Sequence, residues 1–162
     1  KDIGIMIHTE KKIYEFLKKI MKEKGFNVYR GFLPSNSFED RENGKKTNDY
    51  FPFVILRIAE FRQNRDGVGY YNAFSDFEIW VGTKEEKQED YSNNLETARY
   101  IAGKLLEETT KVRHDTDSAG FAIDQNKEIR VLFRSDQAYP YFFSRVTFTA
   151  YAEPIVSEYT NL

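Results

Sequence analysis

The stretch from 114 to 117 is the first place where this sequence has residues able to hold a metal ion. His114, Asp115 and Asp117 supply one imidazole and two carboxylates. A metal site needs three or four ligands, and neither an HxxxH nor a CxxC pattern completes this set. Aspartates also form turns readily. We therefore interpret the stretch as a polar loop and predict no metal site.

Acid–base chemistry has two further candidate positions. Asp76 and Glu78 are two residues apart and would share one face of a strand. A carboxylate pair can hydrolyse a glycoside when it flanks a sugar cleft. His8 is a candidate general base, but the sequence has no G-x-S-x-G motif to supply a nucleophile. We predict a solvated strand face for the carboxylates, an exposed or capping role for His8, and no enzymatic activity.

Ligand-binding motifs for nucleotides and nucleic acids are weak. The sequence lacks the P-loop and the G-x-G-x-x-G pattern, and Gly67-Val68-Gly69 falls in a predicted hairpin turn. An aromatic cluster could stack on single-stranded nucleic acid, but acidic rather than basic residues are interleaved with it. We predict core and interface packing for this cluster, no cofactor, and no sequence-specific nucleic acid partner. The cluster comprises Tyr70, Tyr71, Phe74, Phe77 and Trp80.

Composition points to one globular domain over residues 1–162. Hydrophobic residues make up 40%, the net charge is −2, and no cysteine is present. Aromatic residues reach 16%, which favours strands and contact surfaces. No apolar run approaches the roughly 20 residues of a membrane-spanning helix, and Lys1 to Ile7 are too short for a secretory signal. We expect a soluble intracellular protein with no membrane partner.

Two amphipathic helices are predicted from apolar residues at helical spacing. The first has Thr9 as its N-cap and Gly25 as its C′ residue, with a stripe of Ile13, Phe16, Leu17, Ile20 and Met21. The second has Ser92 as its N-cap, with a stripe of Leu95, Ala98, Ala102, Leu105 and Leu106. Because each helix has a single apolar stripe, both should lie on one sheet.

Five strands are predicted at 26–33, 51–61, 70–81, 127–134 and 141–151. Residues 63–69 carry an Asp66-Gly67 pair, which favours a hairpin between the second and third strands. The segments 35–49 and 109–126 are predicted to be mobile loops. The fold class is therefore α+β, a mainly antiparallel sheet of four to five strands with two helices packed on one face.

The order of these segments resembles small tail proteins of long-tailed phages. YPYFFSRVTFTAYAEPI at 139–155 resembles their closing strand, and EKKIYEFLKKIMKEK at 10–24 their opening helix. Four internal runs follow in the same order, and together they extend the resemblance to about four fifths of the chain. These runs are FNVYRGFLP at 26–34, DYFPFVILRIAEF at 49–61, FEIWVGTKEE at 77–86 and LETARYIAGKLLEE at 95–108. The chain departs from the group at 35–49 and 109–126.

The named group that this chain is most similar to is the tail terminators, or tail-completion proteins. The resemblance implies a ring, usually a hexamer, on the head-proximal end of the tail tube. The implied partners are other copies of the chain, the tail tube protein and the head connector or neck proteins. The implied location is the host cytoplasm during assembly and then the virion tail.

Contact residues of such a ring can only be proposed from loops and partly exposed aromatics. We expect them among Phe38, Arg62, Arg65, Tyr70, Tyr71 and Trp80. Two other interpretations stay open at this point. One is a head-completion or other neck or minor tail protein, and the other is a monomeric accessory domain that binds another protein.

Overall fold

The computed structural model describes residues 4–34, 50–65, 71–114, 117–134, 136–137 and 139–155, with the side chains of 4–7, 71 and 113 left out. Two helices and a five-stranded open sheet form an α+β fold, as predicted. The helices are α1 (Gly4–Lys22) and α2 (Tyr91–Arg113), the latter after a short 3₁₀ turn at Gln88–Asp90. The strands are β1 (Asn27–Arg30), β2 (Phe53–Arg65), β3 (Tyr71–Lys84), β4 (Arg130–Phe133) and β5 (Tyr141–Tyr151).

The strand order across the sheet is β1-β2-β3-β5-β4. β1 runs parallel to β2, and every other neighbouring pair is antiparallel. The antiparallel pairing of β2 with β3 reaches Arg65 opposite Tyr71, so these two strands form a long hairpin. The Asp66-Gly67 turn predicted between them lies outside the described residues.

The main core lies between the two helices and one face of the sheet. The predicted stripe of α1 is buried in it, together with Ala98, Ile101 and Leu105 of α2. The inclusion of Leu106 in the α2 stripe was wrong, since its side chain is 38% exposed. The sheet contributes alternate residues such as Phe77 and Phe148, whose rings stack with centroids 5.5 Å apart. Because all these side chains belong to one cluster, both helices pack on the same sheet face, as predicted. α1 ends in a left-handed Gly25 at φ 73°, the C′ role predicted for it.

Several predicted boundaries are wrong. α1 begins at Gly4, so Thr9 is buried inside the helix rather than capping it, and His8 is an exposed helical residue. α2 begins at Tyr91, so Ser92 is not its N-cap. It ends at Arg113, so residues 109–113 are helical rather than loop. β1 ends at Arg30 because Gly31 adopts a positive φ of 82° and turns the chain.

Polar side chains in the buried stripe of α2 anchor both ends of this helix. Asn94 is fully buried, and its amide nitrogen lies 3.0–3.2 Å from Val81 O, Thr83 Oγ1 and Phe142 O. Near the other end, Thr109 Oγ1 accepts the Ile123 N–H at 2.9 Å, and Glu108 Oε1 accepts the Ala119 N–H at 3.1 Å. The bonds of Thr109 and Glu108 tie α2 to the segment 117–126, whose Phe121 and Ile123 are buried in the core.

Candidate interaction surface

The sheet has a second face, here called the free face, on which neither of the two described helices packs. Its position follows from the alternation of side chains along each strand. The predicted sharing of one face by Asp76, Glu78 and Trp80 is confirmed, since Phe77, Ile79 and Val81 lie in the core beneath the helices. The free face is formed by Arg57, Glu60, Arg62, Asp76, Glu78, Trp80, Arg145, Thr147 and Thr149.

A β-bulge in β2 decides which of its residues reach the free face. Ile58 pairs with Phe77 and Glu60 pairs with Asp76, so Ala59 has no partner in the register. Before the bulge, odd-numbered residues such as Arg57 lie on the free face. After it, even-numbered residues do, because one extra residue reverses a two-residue alternation. Arg62 is thereby placed next to Asp76.

Glu78 lies between two arginines on the free face. Its Oε2 is 3.2 Å from Arg145 Nη1, and its Oε1 is 3.8 Å from Arg57 Nη1. The Arg145 guanidinium lies over the Trp80 ring at 5.3 Å, and that of Arg57 lies over the Phe32 ring at 4.7 Å. Glu78 therefore joins two cation–π pairs from different strands into one array.

Asp76 is the centre of a second group of contacts. Its Oδ1 accepts hydrogen bonds from Arg62 Nη2 at 2.9 Å and Thr149 Oγ1 at 2.6 Å. Arg62 Nε is also 3.2 Å from Glu60 Oε1. The hydrogen bond to Asp76 raises the pKa of Arg62 above its usual range. Asp76 and Glu78, the two carboxylates of the candidate acid–base pair, are thus both engaged by arginine.

Aromatic side chains cover the end of the free face near β1. Phe53 and Ile55 are buried there, together with Tyr50, and the partly buried Trp80 and Phe143 pack against them. The Phe53 ring lies across Gly82, its register partner on β3. This part of the face is a small second core, while the half beyond Trp80 is polar and charged.

The six predicted contact residues are only partly brought together. Arg62 and Trp80 both lie on the free face. Arg65 is exposed but pairs with Tyr71 beyond the bulge, on the same side of the sheet as the helices. The side chain of Tyr71 is not described, and Phe38 and Tyr70 lie outside the described residues. Arg62 and Arg65 therefore lie on opposite sides of the sheet, and the contact role expected for all six residues stays a prediction.

Phe32 is a residue that the sequence interpretation missed. Its side chain is 73% exposed, the highest value among the large hydrophobic residues described, and it is stacked by Arg57. Arg57 Nε also donates to Gly31 O at 2.9 Å, which fixes the short segment carrying Phe32. The available sequence signal was an aromatic residue placed between Gly31 and Pro34, where a strand could not continue.

The described part of the chain holds neither a cluster of metal ligands nor a membrane-spanning helix. Within the described ranges, no three His, Cys, Asp or Glu side chains gather closely enough to hold a metal ion. Asp115 of the 114–117 stretch lies outside those ranges. None of the described helices is long and apolar enough to cross a membrane. No protein-family model matches this chain, and no curated protein is significantly similar to it.

The contacts of Glu78 with Arg57 and Arg145 lead to a prediction about stability. Its side chain is 15% exposed, so Glu78→Gln removes a largely buried charge from between Arg57 and Arg145. We expect a loss of about 1 kcal/mol in the free energy of unfolding, after discounting for the partly exposed arginines. Urea denaturation at low and high salt measures the effect, which should shrink as salt screens the array.

Glu60→Gln is the matched control, because Glu60 is 58% exposed and pairs with Arg62 on the same face. It should change the stability by less than about 0.5 kcal/mol. Equal losses for the two variants would contradict a structural role for the Glu78 array.

Proposed function

We propose that this chain is a structural virion protein, a tail terminator that assembles with copies of itself at the head-proximal end of a phage tail tube. In this proposal the assembly stops growth of the tube and joins it to the head connector. The sequence resemblance implies a ring of about six copies. The protein would work in the host cytoplasm during assembly and remain in the finished virion.

The observation that supports this proposal most is the free face. A sheet covered by helices on one side only leaves a broad rigid surface for contact with another molecule. Here that surface holds a tryptophan and three arginines in defined positions, and Trp and Arg are enriched among residues that dominate binding energy. Preformed ion pairs and cation–π contacts keep these side chains ordered before a partner arrives.

Charge on the free face also fits a component of a DNA conduit. On β2, β3 and β5, Arg57, Arg62 and Arg145 match Glu60, Asp76 and Glu78 in number, so these three strands give the polar half no net charge. A strongly basic surface would bind phosphates and slow passing DNA. A balanced surface does not, whichever side of the assembly it lines.

Deletion of the gene in the phage or prophage that carries it tests the function. We expect tails that overgrow in length and fail to join heads, seen by negative-stain electron microscopy of the lysate. Complete virions with normal tails would exclude the proposal. Leaking heads beside free tails of normal length would favour the head-completion alternative instead. A monomeric accessory domain predicts intact particles.

Complementation with point variants locates the contact surface. Arg62→Glu reverses a charge on the free face and should fail to restore virions. Arg99→Glu is the control, because Arg99 is an exposed arginine of α2 outside the free face. If both variants complement equally, the free face is not the contact surface. Circular dichroism of both purified proteins checks that each is folded.

A further inference from the structure

β4 is an edge of the sheet whose outer side is free of any described strand. It pairs with β5 alone, through Arg130 to Phe133 opposite Thr147 to Ser144. Val131 in this strand is 36% exposed. An edge strand presents backbone N–H and C=O groups to any chain that approaches in extended form. Because proteins normally cover such an edge, we expect another strand to pair with β4.

An aromatic patch flanks β4 on the helix-bearing side. Tyr91, Phe133, Tyr139 and Phe142 form it, with ring centroids between 5.5 and 6.5 Å apart. Tyr91 and Tyr139 are both exposed. The Tyr139 hydroxyl donates to Glu86 O, which holds one side of the patch in place. This patch can accept apolar side chains from a strand laid along β4.

A cavity of about 270 Å³ flanks β4 on the free face, here called the edge cavity. Leu132 lies on that face because it pairs with Arg145. The cavity has an apolar and aromatic wall with two guanidinium groups. Its lining is Trp80, Leu132, Phe133, Arg134, Phe143, Ser144 and Arg145. It can accept one apolar and one acidic side chain.

We propose that residues 153–162 of a second copy of this chain add a strand to β4. The inference rests on the self-assembly in the proposed function and names the contact that would carry it. This is strand addition, in which backbone hydrogen bonds supply affinity and side-chain pockets supply specificity. The segment has the sequence EPIVSEYTNL, with β-branched and aromatic residues that favour strands.

The side-chain pattern of this segment matches the two flanking sites. In an extended strand, Ile155 and Tyr159 point to one side while Val156 and Glu158 point to the other. The first pair fits the aromatic patch. The second pair fits the edge cavity, where Glu158 meets Arg134 and lies beside Arg145, which already pairs with Glu78. Arg134 already bonds both carboxylate oxygens of Asp136, but both side chains are exposed to solvent, so Glu158 can compete for the guanidinium.

The segment leaves its own copy on the far side of the sheet from β4. Gln63 of β2 bonds both backbone groups of Ile155, donating to its O at 3.0 Å and accepting from its N–H at 2.6 Å. Ile155 is 59% exposed. β3 and β5 lie between β2 and β4, about 14 Å in all at one strand spacing per step. Residues 156–162 lie outside the described residues. To reach β4 of its own copy this segment would have to turn back across β3 and β5, whereas β4 of a second copy requires no such turn.

Disulfide trapping tests the contact cleanly because the chain has no cysteine of its own. One protein carries Val131→Cys, and a second, tagged for mass, carries Ser157→Cys or Ile155→Cys. The control pairs the same tail variants with Leu106→Cys, since Leu106 on α2 is 38% exposed, much like Val131. Mild oxidation of concentrated protein and of purified tails should give mixed dimers roughly tenfold above the control. Added EPIVSEYTNL peptide should suppress them.

Three results would overturn the proposal. The first is a yield equal to the Leu106→Cys control in both samples. The second is an internal cross-link that persists on dilution when both cysteines are placed in one chain. The third is a yield unaffected by the peptide. If oxidised rings or tails contain no cross-link between the two cysteines, this inference is wrong but the tail function can still hold. If the cross-link forms but deletion of the gene leaves virions normal, the tail function alone is wrong.

Discussion

Leu105→Ala should lower the free energy of unfolding by about 2–5 kcal/mol, because it empties a fully buried site in the main core. Leu105 lies where α2 packs on the sheet, in the same cluster as Phe148. Phe148→Ala should have an effect of the same order, since its ring stacks on Phe77. Urea or guanidinium denaturation followed by circular dichroism measures both losses.

Leu106→Ala provides the control for this prediction. Leu106 is the next residue along α2 and is 38% exposed, so the same chemical change there should alter stability by less than about 0.5 kcal/mol. A Leu105→Ala variant no less stable than Leu106→Ala would mean that the helix packs through another stripe.

Gly82→Ala should be destabilising by about 1–3 kcal/mol or more, because a Cβ there would overlap the Phe53 ring. The added carbon would lie 2.3 Å from Cζ and 2.5 Å from Cε2 of Phe53. That ring is buried in the second aromatic cluster, so it has little space to move. An aromatic side chain laid over a strand glycine also restores the cover that glycine lacks.

Gly103→Ala is the same substitution with the opposite expected sign. A Cβ at Gly103 meets no atom within 4 Å, and the residue lies within α2. It should stabilise the protein by about 0.5–1 kcal/mol through helix propensity.

A double variant tests the cause of the Gly82 effect. Gly82→Ala combined with Phe53→Leu should be less destabilised than the sum of the two single variants. Strict additivity would show that the ring overlap is not the cause.

The elements that sequence predicted best are those with an unbroken apolar pattern. β5 has the predicted bounds of 141–151, and Phe142, Val146, Phe148 and Ala150 are all buried. The stripe of α1 is buried as predicted, and Gly25 ends the helix. In both elements the period of the hydrophobic residues is enough to fix the buried face.

The elements that sequence predicted poorly depend on polar or distant partners. The buried stripe of α2 includes Asn94, Glu108 and Thr109, whose polarity concealed the last turn of the helix. Backbone groups bond the Asn94 amide nitrogen, Glu108 Oε1 and Thr109 Oγ1, and no local pattern reveals such distant partners. The alternation in β3 correctly assigned Trp80 and Asp76 to one face. The arginines that complete that face come from β2 and β5, so only the register shows their contacts.

Ala59 has a consequence for how related sequences should be compared. The alternation of side chains between the two sheet faces reverses at this residue. Odd-numbered residues before it, and even-numbered residues after it, lie on the free face. In a relative, the loss or gain of one residue here would exchange the solvent-facing and core-facing sets of the distal half while leaving the proximal half intact. Alignments of β2 should therefore treat positions 53–58 and 60–65 as two frames, joined by a single adjustable residue.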